Sequence, residues 1–293
     1  MVSDEPTTAW LSRLATDFGQ RAREVVRLTT SSGAELAVVG DVVVKLHHPR
    51  TDAAGLAVRL GAVTRGTGSA VWVQPLDDRP RQAPDGRLAT VWPRVDVLAT
   101  TDPDLPWVEA GALLAALHRT DRGSVRRLPA QGGPARVARA LTRVRGLDHR
   151  SAPMLERLGA RLVDEVAASA VAASAAGCTP VHGDWHLGQL ARTEDGLRLL
   201  DVDDLGTGDP AWDLARPAGF WAAGALEDAA WEGFLGAYRE AGGTAVPLDG
   251  DPWPRLDLPA RCAVFVAAVR LLAVQPPHSA DPASALLEAC ARM

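Results

Sequence analysis

The chain has 293 residues, 47% of them hydrophobic, and a formal net charge of −5, which allows one large domain or two smaller ones. No basic stripe is present and no apolar run is long enough to span a bilayer, so we expect no nucleic-acid or membrane partner. The acidic start "MVSDEPTTAW" lacks the apolar core of a signal peptide. Three widely spaced cysteines predict neither a disulfide framework nor a metal site, and fit a reducing cytoplasm.

The first part of the chain predicts one helix followed by short strands. "TTAWLSRLATDFG" has apolar residues at helical spacing and ends at a glycine. The β-branched runs "EVVRL", "ELAVV" and "VVVKL" predict three strands, and Gly40 and Asp41 form a two-residue turn between the last two. The sequence therefore predicts a β-sheet with one preceding helix.

A second helix and two more strands complete this β-rich region, which we predict to span residues 1–95. "TDAAGLAVRLGAV" predicts a helix with Thr51 or Asp52 as its N-cap. "VWVQPL" and "RLATVWPRV" predict strands on either side of the turn "APDG". "VDVLATTDPDLP" is typical of a linker.

Residues 96–293 are predicted to be mostly helical. Five segments carry helix formers with apolar residues three and four apart: "WVEAGALLAALHR", "ARVARALTRVR", "APMLERLGARLVDEVAASAVAASA", "EDAAWEGFLGAYREAGG" and "LPARCAVFVAAVRLLAV". One segment, "TPVHGDWHLGQLARTEDGLRLLDVDDLGTGDPAWDLARP", interrupts them and is predicted to be non-helical, with loops and two short strands.

This interruption carries the spacing of a phosphoryl-transfer site. His182-Gly183-Asp184 is followed five residues later by Gln189, and then by a strand that ends in Asp201 and Asp203. Protein kinases use H-x-D-x-x-x-x-N followed by a strand that ends in a metal-binding Asp. The first Asp lies near the acceptor hydroxyl, and the amide oxygen and the strand Asp supply hard oxygen ligands to a metal.

Lys45 is the only lysine of the chain, beside 30 arginines. It lies in the third predicted strand, where such kinases place a lysine that holds the α- and β-phosphates. A compact ammonium cannot be replaced there by the planar fork of arginine, which explains why this position keeps its lysine.

The stretches "HGDWHLGQL" and "LLDVDDLGTGDPAWDLA" resemble the aminoglycoside phosphotransferase family. These are small-molecule kinases with a protein-kinase-like fold, and they carry an HGDxHxxN loop and an IDWxxxxxGDPxxDLA stretch. The HLGQ form is similar to that of maltokinase-like and glucosamine-kinase-like members. The resemblance covers the order of nearly the whole chain, but its specific motifs occupy residues 181–215 and Lys45.

The resemblance implies an α+β, bilobal, protein-kinase-like fold with an N-lobe over residues 1–95 and a helical C-lobe over 96–293. It implies that Asp184 is the catalytic base and that Lys45 binds the ATP phosphates. The metal ligands it implies are Gln189 and Asp201, with Asp203 as a further candidate. Residues in structural roles are His182, which orders the loop, Asp209, and Asp213, which braces the catalytic loop.

Two features depart from the family pattern. The amide ligand is Gln189 where the family has Asn, in a chain that contains no Asn at all, and glutamine still supplies an amide oxygen. The glutamate that usually pairs with the strand lysine has no counterpart. Either Asp52, at the start of the second predicted helix, takes its place or the pair is absent.

Other interpretations use the same residues. His182, Asp184 and His186 alternate as zinc ligands could, although Gly183 favours a turn and no further His or Cys cluster follows. "GTGDPA" matches a dinucleotide-binding glycine pattern, but the neighbouring aspartates would repel a pyrophosphate.

The sequence indicates the nucleotide and substrate contacts less specifically than it indicates the phosphoryl-transfer motif. "TTSSGA" is either a phosphate-binding loop, through Ser31, Ser32 and Gly33, or an ordinary hairpin turn. Pro93 and Val95 lie in the segment expected to contact adenine. "DGDPWPRLD" is either a solvated loop or a site where Asp249, Asp251 and Trp253 meet an amino sugar.

The sequence thus predicts an ATP-dependent phosphotransferase, with GTP as a second possible donor and Mg²⁺ as cofactor. Its expected acceptor is a hydroxyl of a small molecule, an aminoglycoside or amino sugar, which would connect it to antibiotic resistance. The alternatives are a maltokinase-like sugar kinase and a nucleotide-binding pseudokinase. No oligomeric state is indicated.

Overall fold

The computed structural model describes residues 5–21, 24–29, 34–121, 127–173, 179–274 and 282–293. The chain divides into two compact units. Unit 1 comprises residues 1–98 and 190–203, and unit 2 comprises residues 99–189 and 204–293. Residues 190–203 thus belong with the N-terminal unit, whereas the functional division at residue 95 stays a prediction. No described helix is long and apolar enough to cross a membrane.

The helices are α1 (Glu5–Asp17), α2 (Ala53–Thr64), α3 (Trp107–His118), α4 (Gly133–Val144), α5 (Ala152–Ala173), α6 (Ala211–Ala222), α7 (Asp228–Glu240), α8 (Trp253–Val274) and α9 (Pro282–Arg292). The strands are β1 (Val26–Thr29), β2 (Glu35–Val39), β3 (Val42–Leu46), β4 (Arg81–Gln82), β5 (Leu88–Pro93), β6 (Asp96–Val97), β7 (Thr179–Val181), β8 (Leu190–Thr193), β9 (Gly196–Leu199) and β10 (Gly206–Gly208). Short 3₁₀ helices cover Gly66–Val71 and Leu187–Gln189.

Unit 1 contains an antiparallel sheet in the order β1-β2-β3-β5-β4. The predicted hairpin is confirmed: Val39 pairs with Val42, and Gly40 takes a left-handed φ of 62° in the two-residue turn. Val44 and Leu46 are buried on one face, in a cluster with Leu11 of α1. Because side chains alternate along a strand, Lys45 projects from the opposite face of β3.

The β6-β8-β9 sheet completes unit 1. Leu98 donates its backbone N–H to Leu190 at 2.9 Å, and Val73 donates to Leu199 at 2.9 Å. Of the two predicted N-caps, Asp52 and not Thr51 is the N-cap of α2, and its carboxylate accepts the N–H groups of Ala54 and Gly55.

The strand predicted in "VWVQPL" is wrong. Residue 71 ends a 3₁₀ helix, and Trp72 forms only an isolated parallel bridge with Leu199. The Gln74 amide donates to the carbonyls of Val63 and Ser69, at 3.1 and 2.6 Å. Pro75 has no N–H to give to a ladder. Apolar burial is thus achieved here without a strand.

Unit 2 is built mainly from packed helices, with α3 against α7, α4 against α5, and α8 against both α6 and α9. Its core includes Leu155, Leu162 and Phe265, and the buried free thiols of Cys262 and Cys290. Burial raises the pKa of each of these thiols to about 12. Cys178 lies outside the described residues.

Two helices of unit 2 were not expected from the sequence. The end of the segment predicted to be non-helical forms α6, which contains Pro217 in its interior. Pro217 cannot donate a backbone hydrogen bond within α6, and packing against α8 offsets this loss. The two helices are in close contact, because a Cβ added at Gly219 would lie 2.7 Å from the Ala260 carbonyl oxygen. Helix α9 was not predicted either.

Close packing of α3 on α7 generates a stability prediction. A Cβ added at Gly111 would lie 2.2 Å from the Phe234 carbonyl oxygen, whereas one added at Gly236 of α7 meets nothing within 4 Å. We expect Gly111→Ala to lower the free energy of unfolding by about 1–3 kcal/mol through overpacking. Gly236→Ala is the matched control and should raise it by about 0.5–1 kcal/mol. Urea denaturation of both variants tests this, and equal effects would contradict the contact.

Candidate active site

Unit 1 holds Lys45 between two carboxylates, a group that we call the lysine–aspartate cluster. The Lys45 Nζ donates to Asp201 Oδ1 at 2.7 Å and lies 2.8 Å from Asp203 Oδ2. Burial alone would lower the pKa of Lys45, but the two carboxylates outweigh it and raise that pKa above its usual range. Lys45 is therefore a fixed positive charge at neutral pH.

The backbone at Asp201 brings both carboxylates to the same ammonium. Asp201 is the only non-glycine residue among those described with a positive φ, at 59°. Its Oδ1 also accepts the N–H of Asp203 at 3.0 Å, a local bond that helps aspartate to adopt this conformation. Unusual backbone geometry of this kind is often found at functional sites.

His47 is a member of this site that the sequence analysis missed. It is fully buried, and its Nδ1 lies 3.0 Å from Asp203 Oδ1. Its Nε2 lies 2.9 Å from the Thr90 hydroxyl, which accepts the indole N–H of Trp92 at 2.8 Å. Since Thr90 accepts from Trp92, its own hydroxyl proton can go to Nε2, and Nδ1 then carries the ring proton. Nδ1 and Asp203 Oδ1 are close, but neither atom has a hydrogen-bond partner among the described residues.

Burial alone would raise the pKa of the Asp203 carboxyl, but His47 and Lys45 outweigh it and hold that pKa below its usual range. The spacing could have indicated His47, because residues two apart on an extended chain project to the same side. The sequence offers Asp52 as one candidate for the acidic partner of Lys45. It caps α2 instead, and among the described residues Lys45 pairs with Asp201 and Asp203 and not with Asp52.

In unit 2, the segment His182–Asp184 is held by one buried carboxylate on α6. Asp213 accepts the N–H of His182 at 2.6 Å and that of Gly183 at 2.8 Å. Gly183 has a φ of 83°, and a Cβ there would lie 2.3 Å from the Asp204 carbonyl oxygen. Only glycine fits this position, since it needs both a left-handed backbone and a close approach.

Asp184 follows directly and is flanked by two arginines. Arg136 Nη1 donates to Asp184 Oδ1 at 3.0 Å, and Arg216 Nη2 donates to the same oxygen at 3.1 Å. Among the described residues, none donates a hydrogen bond to Oδ2. Burial alone would raise the pKa of Asp184, but the charges of Arg136 and Arg216 outweigh it and lower that pKa below its usual value. Asp184 is thus an ionised, anchored carboxylate with one oxygen available.

The other residues of the motif lie close to this loop. Burial, helped by the charge of Arg216, lowers the pKa of His186 to about 3, so its imidazole is neutral. Gln189 ends a 3₁₀ helix, is half-buried, and donates its N–H to the His186 carbonyl at 2.8 Å. Among the described residues, no group of three or more His, Cys, Asp or Glu side chains could hold a metal ion, so the zinc alternative gains no support.

Asp209 and two of the three predicted substrate residues, Asp251 and Trp253, form hydrogen bonds or ring contacts within unit 2. Asp209 Oδ1 accepts the N–H of Ala211 and a bond from Arg255, both at 3.0 Å. Asp251 Oδ1 accepts the N–H of Trp253 at the start of α8, and Asp249 is exposed. The Trp253 ring stacks on Trp221, with centroids 5.9 Å apart.

Of the predicted nucleotide contacts, Ser31, Ser32 and Gly33 lie outside the described residues. Pro93 ends β5 and pairs with Val42 of β3, and Val95 is half-buried just beyond it. Their roles stay predictions.

Small-molecule kinases are among the solved structures that this chain resembles. A choline/ethanolamine kinase family protein from Mesorhizobium loti is 19% identical, with a TM-score of 0.63 over 100% of this chain and 93% of that chain. Choline kinase LicA from Streptococcus pneumoniae is 11% identical, with a TM-score of 0.66 over 97% and 99% of the two chains. A thermostable mutant of aminoglycoside phosphotransferase APH(4)-Ia is 15% identical, with a TM-score of 0.60 over 95% and 96%. LicA is also known in complex with AMP.

These likenesses confirm the predicted α+β, protein-kinase-like fold class, with a β-rich N-terminal part and a helical C-terminal part. The family model described as "Phosphotransferase enzyme family" matches residues 18–258, and the chain belongs to that family. It is a small-molecule phosphotransferase, as the motifs predicted. No curated protein matches the chain.

The burial of His47 generates a second prediction. His47→Ala removes a partner of both Thr90 and Asp203 and leaves a cavity at a fully buried position. We expect the free energy of unfolding to fall by about 2–4 kcal/mol. The adjacent His48 is half-buried and bonds only locally, to the N–H of Arg50, so His48→Ala should change it by less than about 0.5 kcal/mol. Thermal or urea unfolding compares the two, and a similar loss in both would mean that His47 supports nothing beyond its own segment.

Proposed function

We propose that this protein transfers the γ-phosphoryl group of ATP, with Mg²⁺ as cofactor, to a hydroxyl group of a small molecule. The observation that carries the proposal is the lysine–aspartate cluster of unit 1, built around the only lysine of the chain. A cytoplasmic location, where ATP and Mg²⁺ are available, fits this activity.

The lysine–aspartate cluster offers a nucleoside triphosphate one ammonium for its phosphate oxygens and two carboxylates for its Mg²⁺. Lys45 is an ammonium at neutral pH and can exchange its carboxylate partners for phosphate oxygens, which are also anionic. The close approach of His47 Nδ1 to Asp203 Oδ1 does not involve Lys45, so it can persist during this exchange. The AMP complex of LicA supports nucleotide binding by this fold.

The donor set also fits Mg²⁺. Asp201 and Asp203 are about one-third exposed, at 31% and 34% of their side chains, and they offer the hard oxygen atoms that Mg²⁺ prefers. Gln189 is proposed as the amide ligand. When bound, Mg²⁺ neutralises charge on the phosphate oxygens.

Asp184 is proposed to orient the acceptor. Its Oδ1 is fixed by Arg136 and Arg216, and Oδ2 can accept the hydrogen bond of the acceptor hydroxyl. As the acceptor oxygen forms its bond to phosphorus, the bond from phosphorus to ADP breaks and the hydroxyl proton passes to Asp184. Because the pKa of Asp184 is lowered, the carboxylate orients the hydroxyl first and takes its proton late.

The identity of the acceptor does not follow from the substrates named for the solved relatives. Their names refer to choline or ethanolamine, choline and an aminoglycoside, and identities of 11–19% show the fold alone. The aminoglycoside or amino sugar expected from the sequence resemblance therefore remains one candidate, beside neutral sugars. ADP release with a panel of hydroxylated compounds tests the proposed function. A protein that binds ATP but turns over none of them would be a pseudokinase.

The lysine–aspartate cluster predicts that Lys45→Arg weakens ATP use although the charge is kept. The planar guanidinium cannot place one compact charge between Asp201 and Asp203. We expect the KM for ATP to rise by about tenfold or more, a loss of about 1.4 kcal/mol or more. Steady-state kinetics with varied ATP measures it. Unchanged kinetics would mean that Lys45 does not contact the nucleotide.

The fixed position of Asp184 predicts that Asp184→Asn separates binding from transfer. Asparagine keeps the shape and an oxygen for the arginines, so ATP affinity should stay near that of the parent protein. Transfer should fall by about 10²–10⁴-fold, since assistance by a base is lost. ATP titration and single-turnover transfer are measured on the same samples. Normal transfer with lost ATP binding would instead assign Asp184 to the nucleotide site.

A further inference from the structure

A recess in unit 2 lies directly beside Asp184. Asp184 is the only carboxylate among the described residues that line it, and Arg136 and Arg216 are its two cations. The remaining wall is largely apolar and includes Trp185, Trp212, Pro259, Cys262 and Val266. An acceptor whose hydroxyl reaches Asp184 would therefore lie against guanidinium groups on one side and apolar side chains on the other.

The two arginines differ in how fully their donors are used. Arg136 donates to the Gly183 carbonyl at 2.8 Å, to Asp184 at 3.0 Å and to Asp204 at 2.6 Å. Its charge is thus matched and it braces the loop. Arg216 donates a single hydrogen bond to the described residues, the one to Asp184.

Arg216 therefore uses only some of its N–H donors in bonds to the described residues. A guanidinium has five N–H donors in a planar fork that matches a carboxylate or phosphate. The Arg216 side chain is 27% exposed, so it is accessible from the recess but only partly hydrated. Burial lowers the pKa of Arg216, which is the direction expected of a guanidinium with too few partners. An anionic oxygen group from a ligand would supply the missing acceptors.

We propose that the acceptor carries an anionic oxygen group, such as a carboxylate, which Arg216 binds while the acceptor hydroxyl meets Asp184. This inference rests on the proposed kinase function and names the substrate class of the same site. The apolar part of the acceptor packs along Trp212, Pro259 and Val266. A polycation would place like charge against Arg216 and gain no second carboxylate from the lining, so the charge of the acceptor is the reverse of that in an aminoglycoside or amino sugar.

The test uses two sets of acceptors of similar size that differ in charge. One set is glucuronate, glucose and glucosamine. The other is the para isomers of hydroxymethylbenzoate, benzenedimethanol and aminomethylbenzyl alcohol, which add an apolar ring. Transfer from Mg-ATP is measured as kcat/KM, and binding of each compound is measured by thermal shift. In whichever set the protein phosphorylates, we expect the anionic member to have the highest kcat/KM.

Three proteins are compared: the parent, Arg216→Gln, and Arg145→Gln as the control. Arg145 is exposed at the end of α4 and pairs with Glu156. Arg216→Gln should reduce the preference for the anionic over the neutral member by about 10- to 100-fold, the value of a charge-assisted hydrogen bond pair. Arg145→Gln should keep the parent preference. A merely structural Arg216 would lower transfer to all members equally, so the ratio within a set distinguishes the two roles.

The outcomes separate this inference from the proposed function. Preference for the cationic member, or no stabilisation by an anionic one, overturns the inference. So does a higher KM for ATP in Arg216→Gln with an unchanged acceptor ratio, since Arg216 would then serve the nucleotide. Anionic compounds that bind through Arg216 without any phosphoryl transfer would leave the inference standing and contradict the kinase function.

Discussion

The buried carboxylate of Asp213 is the constraint on which the catalytic segment of unit 2 depends. It is 1% exposed and accepts hydrogen bonds from two consecutive backbone N–H groups and from His118 Nε2, at 3.1 Å. His118 Nδ1 lies 2.7 Å from the Tyr238 hydroxyl, which accepts the N–H of Ala245 at 2.9 Å. Burial raises the pKa of Tyr238 above its usual range, so the phenol stays protonated and donates a hydrogen bond to His118. One chain of directed bonds thus joins α3, α6 and α7 to the loop before Asp184.

Much of this arrangement was predictable because it is local in sequence. The HGD triplet, the glutamine five residues later and the strand that ends in Asp201 have fixed spacing, and a single lysine among arginines marks β3. Hairpin and N-cap signals at Gly40 and Asp52 depend only on neighbouring residues. The role assigned to Asp213 came from the family resemblance and not from its surroundings in the sequence.

The features that escaped prediction depend on contacts between distant segments. The spacing from Lys45 places His47 on the same side of the strand, but it does not indicate that Asp203, 156 positions later, lies against its ring. Arg136 and Arg216 are two of 30 arginines, and no local signal separates a guanidinium beside Asp184 from one on the surface. Helix α6 forms although Pro217 would end an isolated helix, because packing on α8 decides the outcome. The segment "VWVQPL" buries Val71, Trp72 and Val73 but does not form a regular strand, because its contacts to Leu199 amount to one isolated bridge and Pro75 has no N–H to donate.

The solitary lysine has a consequence for chemical modification. Acylating reagents react with neutral amines, which are the nucleophiles, and Lys45 is the only side-chain amine of the chain. It is 9% exposed, and Asp201 and Asp203 keep it protonated. Covalent labelling of a lysine side chain therefore proceeds only in molecules where the ammonium has left its two aspartates. The extent of labelling at Lys45 over time, read on the peptide that contains it, reports how often that separation occurs, and no second lysine side chain competes for the reagent.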